Sequence, residues 1–250
     1  MIAGGGDFEP KDFGGCRLWV RSDLGISLAS SGRVQAWQDQ ITKTSYVQTT
    51  DANRPTYSPG INGRPKLVFA GSHALFNPSF YLSGPKSVFL MIQLTSTPTL
   101  GNSVVPYVIQ GTASSALRSL LIFINVGGYQ PITFKDDLSA SGAAVGTSNY
   151  TTAARCYVET YNGGTNTTAG NYTIDDLGSP LTISATSSIG SASAFFTSLG
   201  AAVDDPAGTI SAGSQMSADL YEFAVWGRPF SARERLDLYA YANRLYGVHL

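Results

Sequence analysis

The sequence predicts an all-β chain, an antiparallel jelly-roll β-sandwich closed by one short C-terminal helix. Three observations carry that expectation. Short runs rich in Val, Ile, Phe and Tyr recur along the chain, separated by Gly, Asn, Pro and Ser turn signals, which is the signature of many short antiparallel strands. Two of these runs, Ser87 to Leu94 and Leu120 to Ile124, are apolar on both faces and mark strands covered on both sides. A helical period shows clearly only at the C-terminal end.

Taken in order, residues 1–15 form an arm, and residues 16–250 form one domain, because no Pro-rich or charged linker divides them. Gly4-Gly-Gly6 resists ordering. The arm is therefore expected to be anchored through Phe8 and Phe13, either on a neighbouring chain as an assembly device or on its own domain. Arg17 to Ser22 opens the sheet, and residues 25–33 read as a surface excursion that returns through Val34 to Trp37. Asn62-Gly63 is a turn signal ahead of the strand Lys66 to Ala70. Val104 to Gln110 and Ile132 to Lys135 are further strands, with Pro106 pointing to an edge or a bulge. Residues 139–154 read as a loop rich in Ser, Ala, Gly and Thr.

Arg155 to Tyr161 then alternates, with Tyr157, Glu159 and Tyr161 on one face and Cys156, Val158 and Thr160 on the other. Asn162-Gly163 turns it, and Tyr172 to Ile174 returns it. Leu181 to Ser184 and Ser188 to Gly190 precede a small-residue region, 191–217, read as loops around Phe195-Phe196. Leu220 to Trp226 is a buried strand leading through Gly227-Arg-Pro-Phe230 into the helix. Ser231 and Glu234 form a capping box, each side chain satisfying a backbone donor left open at the helix start. Leu236, Tyr239, Ala240 and Tyr246 are assigned to the core face, and Arg233, Arg235, Asp237 and Arg244 to the solvent face. Gly247 stands where a left-handed C-cap is needed.

Charged residues make up 13% of the chain and the net charge is −1. No basic field is available for nucleic acid or an anionic membrane. The N-terminus lacks the basic and apolar regions of a secretory signal, and no apolar run is long enough to span a bilayer. The expectation is a soluble chain not exported by the usual route. Cys16 and Cys156 lie in separate strand-like runs and are read as two buried free thiols, a disulfide between them being undecidable from sequence. Asn149, Asn166 and Asn171 begin Asn-x-Thr triplets, read as Thr-rich loops.

A glycosidase needs two carboxyl groups roughly 5 Å or 6 to 10 Å apart. The four glutamates are Glu9 in the arm, Glu234 in the capping box, Glu159 and Glu222. Tyr157, Glu159 and Tyr161 are read as the lining of a concave sugar-binding face or, equally, as an exposed alternating strand. The expectation is that the chain is not an enzyme. The acidic doublets Asp136-Asp137, Asp175-Asp176 and Asp204-Asp205 are placed in loops, where they are either calcium ligands or solvated turn carboxylates. No other cofactor is expected. His73 and His249 have no ligand partner four residues on, no Gly-x-Ser-x-Gly elbow occurs, and Gly4-Gly-Gly6 lacks the Lys-Ser/Thr of a phosphate loop. Trp19, Trp37 and Trp226 lie in apolar strands and read as core.

Leu18-Trp-Val-Arg-Ser-Asp23, Val34-Gln-Ala-Trp-Gln-Asp39, Asn53-Arg-Pro-Thr-Tyr57, Gly63-Arg-Pro-Lys-Leu-Val-Phe-Ala-Gly71 and the C-terminal strand and helix together resemble the concanavalin A-like (LamG-type) jelly-roll domains. Such domains recur in bacterial surface proteins and bacteriophage virion proteins, and the fold hosts lectins, glycosidases and structural modules. The Glu-x-Asp-x-Glu strand of the fold's glucanases is absent, and Glu222 matches an acidic residue common in the last strand of such domains, non-enzymatic ones included, which implies a structural hydrogen-bond acceptor. The resemblance implies a non-enzymatic virion protein, assembled in the host cytoplasm, that decorates a capsid or forms part of a tail or fibre. Its partners would be other virion subunits and copies of itself, held through the arm and loops. The alternative is a carbohydrate-binding module for a host surface glycan. A glycoside hydrolase stands third.

Overall fold

A computed structural model describes residues 8–80, 82, 84–95, 103–110, 118–125, 129–137, 140–145, 152–162, 172–176, 179–180, 196–203 and 210–248. Their strands are, in order, β1 (Cys16–Arg21), β2 (Ile26–Leu28), β3 (Val34–Gln38), β4 (Ser45–Val47), β5 (Thr56–Pro59), β6 (Pro65–Gly71), β7 (Leu75–Asn77), β8 (Lys86–Leu94) and β9 (Ser103–Gln110). They continue with β10 (Arg118–Asn125), β11 (Tyr129–Asp137), β12 (Ala140–Val145), β13 (Arg155–Tyr161), β14 (Tyr172–Asp176), β15 (Ser179–Pro180), β16 (Phe196–Leu199), β17 (Ala201–Val203) and β18 (Ile210–Trp226). One helix, α1 (Ala232–Tyr246), follows.

The strands form two antiparallel sheets. The first runs β15-β14-β13-β8-β18-β6-β5, with β1 and β17 also paired to β18, and the second runs β12-β11-β10-β9-β16-β7-β4-β3-β2. β18 is the spine of the first sheet. It pairs with β8 on one side, and on the other with β6 through residues 216–220 and then with β1 through residues 222–226. The pairing shifts register between Leu220 and Glu222. The extra residue there, Tyr221, is a bulge, and a bulge changes which side chains share a face.

The first sheet has an apolar layer on each side. Leu67, Phe69, Val88, Leu90, Ile92, Leu220 and Phe223 face the second sheet and meet Trp37, Leu75, Tyr107 and Leu199. Trp19, Phe89, Met91, Cys156, Val158, Tyr221 and Trp226 face the other way and are covered by Leu238, Tyr239, Tyr241, Ala242 and Tyr246 of α1. The molecule is therefore a sandwich with a third layer, and the three tryptophans are core, each 0–1% exposed. The predicted fold class is the observed one.

Several local expectations are corrected. α1 is turned from its predicted phase: Leu236 is 48% exposed and Ala240 is exposed, while Leu238, Tyr241 and Ala242 take the core. Its ends are as expected. Ser231 Oγ accepts from the Glu234 N–H, the Ser231 N–H donates to Glu234 Oε2 at 2.9 Å, and Gly247 caps the helix at φ 65°. The excursion at 25–33 holds β2, the loop at 139–154 holds β12, and region 191–217 holds β16, β17 and the first half of β18. β12, β17 and the first half of β18 are rich in small and hydroxylic residues, so cross-strand pairing rather than local propensity forms them. Residues 181–184 and 188–190 lie outside the described residues. β9 is an interior strand, and Pro106 falls at its register shift against β10, where its carbonyl accepts from the Gly200 N–H at 2.9 Å.

The arm folds onto its own domain from Phe8 onward. Phe13 is 5% exposed among Phe8, Trp226 and Phe230, its ring centroid 4.2 Å from that of Phe8. Arg244 donates to the Phe8 carbonyl at 2.7 Å and Arg228 to the Gly14 carbonyl at 2.6 Å. Both aromatic anchors, Phe8 and Phe13, make contacts within the chain.

Candidate functional site

Two buried carboxylates and one polar sheet face are the groups with chemistry to offer. Glu159 sits on β13 opposite Val88, so it shares the face of Val88 and Leu90, which is the interior of the sandwich. It is 5% exposed, with Tyr157 and Tyr161 each at 4%. Tyr107 of the opposing sheet donates its hydroxyl to Glu159 Oε2. Lys86 is also buried here, its ammonium donating to the Leu82 carbonyl at 2.9 Å. Burial lowers the Lys86 pKa to about 8, against the opposing pull of the Glu159 charge. The face read as a sugar-binding surface is thus the inner face of the sandwich. Strict alternation says which residues share a side, and here the apolar bodies of the tyrosines turned that side inward.

Glu222 lies on the other side of the same sheet, opposite Met91. It is fully buried and accepts three hydrogen bonds: Trp19 Nε1 at 2.5 Å, Tyr241 Oη at 2.8 Å and Tyr246 Oη at 2.7 Å. The structural role read from the sequence is the observed geometry. Burial raises the Glu222 pKa to about 7, although all three donors and the nearby Arg21 favour its charged form. Arg21 donates to Tyr241 and pairs with Glu9 of the arm and with Asp23. One buried carboxylate therefore ties β1, β18 and α1 together. Because Glu159 and Glu222 stand on opposite faces of one sheet, its backbone separates them.

The third candidate is the part of the helix-bearing face beyond the C-terminal end of α1. The register aligns Thr56, Val68, Asp219 and Gln93 in one row across β5, β6, β18 and β8. Lys66 Nζ meets Asp219 Oδ2 at 2.6 Å. Gln93 accepts from Tyr221 Oη at 3.2 Å and donates to the Thr152 carbonyl at 2.9 Å. Asp219 is 2% exposed, yet its Oδ1 has no hydrogen-bond partner among the described residues. The sequence signal for this site is an aspartate immediately ahead of the apolar run Leu220 to Trp226.

The remaining expectations are placed as follows. Asp136 and Asp137 end β11, and Asp175 and Asp176 end β14, so they are strand residues rather than loop residues. Asp204, Asp205 and His249 lie outside the described residues. No group of three or more His, Cys, Asp and Glu side chains that could hold a metal occurs among the described residues. His73 is buried between Arg33 and the backbone of β6: Arg33 Nη1 lies 3.3 Å from Nε2, and the Ala70 N–H donates to Nδ1 at 3.1 Å. Cys16 and Cys156 are thiols rather than a disulfide; Cys156 is buried and Cys16 half-buried. No described helix is long and apolar enough to cross a membrane.

No family model and no curated protein sequence matches the chain. Solved structures do. Domain 4 of an extracellular arabinanase from Geobacillus stearothermophilus, in complex with arabinotriose, aligns with a TM-score of 0.59 at 10% identity, covering 90% of this chain and 98% of that domain. The chain has the β-sandwich fold. Trypanosoma rangeli sialidase aligns at 0.59 and 9% identity over 94% of this chain and 34% of its own. The binding domain of Paraclostridial Mosquitocidal Protein 1 aligns at 0.61 and 9% identity over 92% of this chain and 53% of its own. The chain thus spans nearly the whole arabinanase domain but only about a third to a half of the other two. At such identities the likeness speaks of architecture alone.

Proposed function

We propose that this chain is a carbohydrate-binding β-sandwich module without hydrolytic activity. The observation that carries the reading is the placement of Glu159 and Glu222 on opposite faces of one sheet, each turned into a core. A pair that hydrolyses a glycosidic bond must flank one sugar linkage, and the sheet between Glu159 and Glu222 forbids that for these two. The near end-to-end match to an arabinanase domain in complex with arabinotriose supports saccharide as the ligand class. The fold by itself does not assign the role.

Attachment to a virion through the arm is the other reading. Among the described residues of the arm, Phe8 and Phe13 pack on their own domain, and the saccharide reading takes precedence. Electrophoresis through gels containing soluble arabinan, arabinoxylan or β-glucan tests it. The chain is expected to be retarded by at least one of these polymers while generating no new reducing ends. Unchanged mobility in all three, or the release of reducing sugar, would contradict it.

A further inference from the structure

The helix-bearing face of the first sheet is covered by α1 only as far as Tyr221, whose ring packs on Tyr246 with centroids 5.7 Å apart. Beyond that point Thr56 and Ala70 are exposed, and Val68, Lys66, Ser217 and Gln93 are half-buried. Asp219 is 2% exposed among these more exposed residues, so it is the floor of the platform. One carboxylate oxygen holds Lys66 Nζ at 2.6 Å and the other is unsatisfied. A buried acceptor without a donor is destabilising unless something supplies a hydrogen. The Lys66 side chain is 24% exposed and reaches Asp219 through that ion pair, so its ammonium is the polar group that borders the unsatisfied oxygen.

We propose that this platform is the saccharide-binding site, with Asp219 as acceptor, Lys66 and Gln93 as the flanking polar contacts, and Val68 and Ala70 as the surface for the C–H face of a sugar ring. The proposal rests on the carbohydrate-binding reading and gives that reading a place. A sugar hydroxyl donates one hydrogen and accepts another, so a single hydroxyl fits between Asp219 Oδ1 and Lys66 Nζ. The lysine and the aspartate cancel in charge. The site therefore suits a neutral chain, and an acidic sugar would meet the Asp219 carboxylate. The row Thr56, Val68, Asp219 and Gln93 runs across four strands, a direction along which several sugar units can lie.

The test is calorimetric titration of the full chain with arabinan and arabinoxylan oligosaccharides and with sialyllactose. It uses the unaltered protein and the variants Asp219→Ala, Gln93→Ala and Thr56→Trp, the last being an exposed position where a bulky ring blocks the row without touching the core. Neutral oligosaccharide is expected to bind, and each variant is expected to weaken that binding by about tenfold or more, the usual loss when a buried polar contact is left unpaired or a site is obstructed. Variants that bind as the unaltered chain does, with melting temperatures showing that they are folded, would overturn the platform and leave the carbohydrate-binding reading standing. Binding of sialyllactose alone would overturn the neutral-chain assignment. No binding of any of the three probes would overturn the platform, and with unchanged mobility in the β-glucan gel as well it would overturn both.

Discussion

Glu222 concentrates the electrostatics of the molecule in one residue. Its pKa is about 7 in the folded chain, against an ordinary value of 4.5, so the folded state holds the proton more tightly than the unfolded state does. The contribution is fully present below about pH 4.5 and is lost as pH rises through about 7, amounting at most to about 3 kcal/mol for such a shift. His73 runs the other way. Burial, and then the Arg33 charge, depress its pKa below 6.5, so its share is present above that value and is lost on acidification. The two windows meet, and only a comparison separates them. The stability advantage of the unaltered chain over Glu222→Gln, read from urea midpoints, is expected to shrink between pH 5 and pH 8. A constant or growing difference would show that Glu222 stays ionised throughout.

Residue roles were legible where one chemistry had one outcome. A lone glutamate inside an apolar strand must find donors, and Glu222 does. Glu159 was not legible, because the direction of its face depended on Tyr107, which lies 52 positions away in sequence and on the other sheet.

At the scale of elements, the ends of α1 were readable and its rotation was not. Caps are local, since Ser231, Glu234 and Gly247 act through their own backbone neighbours. The helix phase is set by what the sheet offers, and here Phe89, Met91 and Trp226 select the Leu238, Ala242 and Tyr246 line over the Leu236 and Ala240 line. Leu238→Ala is therefore expected to cost about 2 to 5 kcal/mol through the cavity it leaves, whereas Leu236→Ala should fall within about 0.5 kcal/mol of the parent. Thermal or denaturant unfolding of the two variants decides the phase. Equal losses would contradict it. β18 shows a similar division. Its apolar half, 220–226, declared itself, but the half before it is small and polar, and neither it nor the bulge at Tyr221 has a sequence period to reveal it. That bulge turns both Tyr221 and Glu222 toward the helix.

For the whole molecule, two sheets, a helical third layer and an arm folded back beneath it account for every described aromatic cluster. Composition and turn spacing were enough to predict a sandwich, because alternating and doubly apolar strands leave few other ways to bury their faces. They could not say which face would remain open. That followed only from where α1 stops, which leaves Asp219 beneath half-buried and exposed neighbours, with Glu159 and Glu222 sealed in the two cores.

The central claim is that this sandwich holds saccharide without cleaving it. The most direct measurement is prolonged incubation of the full chain with arabinan oligosaccharides at a concentration that saturates any binding heat, followed by chromatography of oligosaccharide length. The account predicts a saturable heat of binding and an unchanged length distribution. Shortened oligosaccharides would mean that a working carboxyl pair exists, and would contradict it.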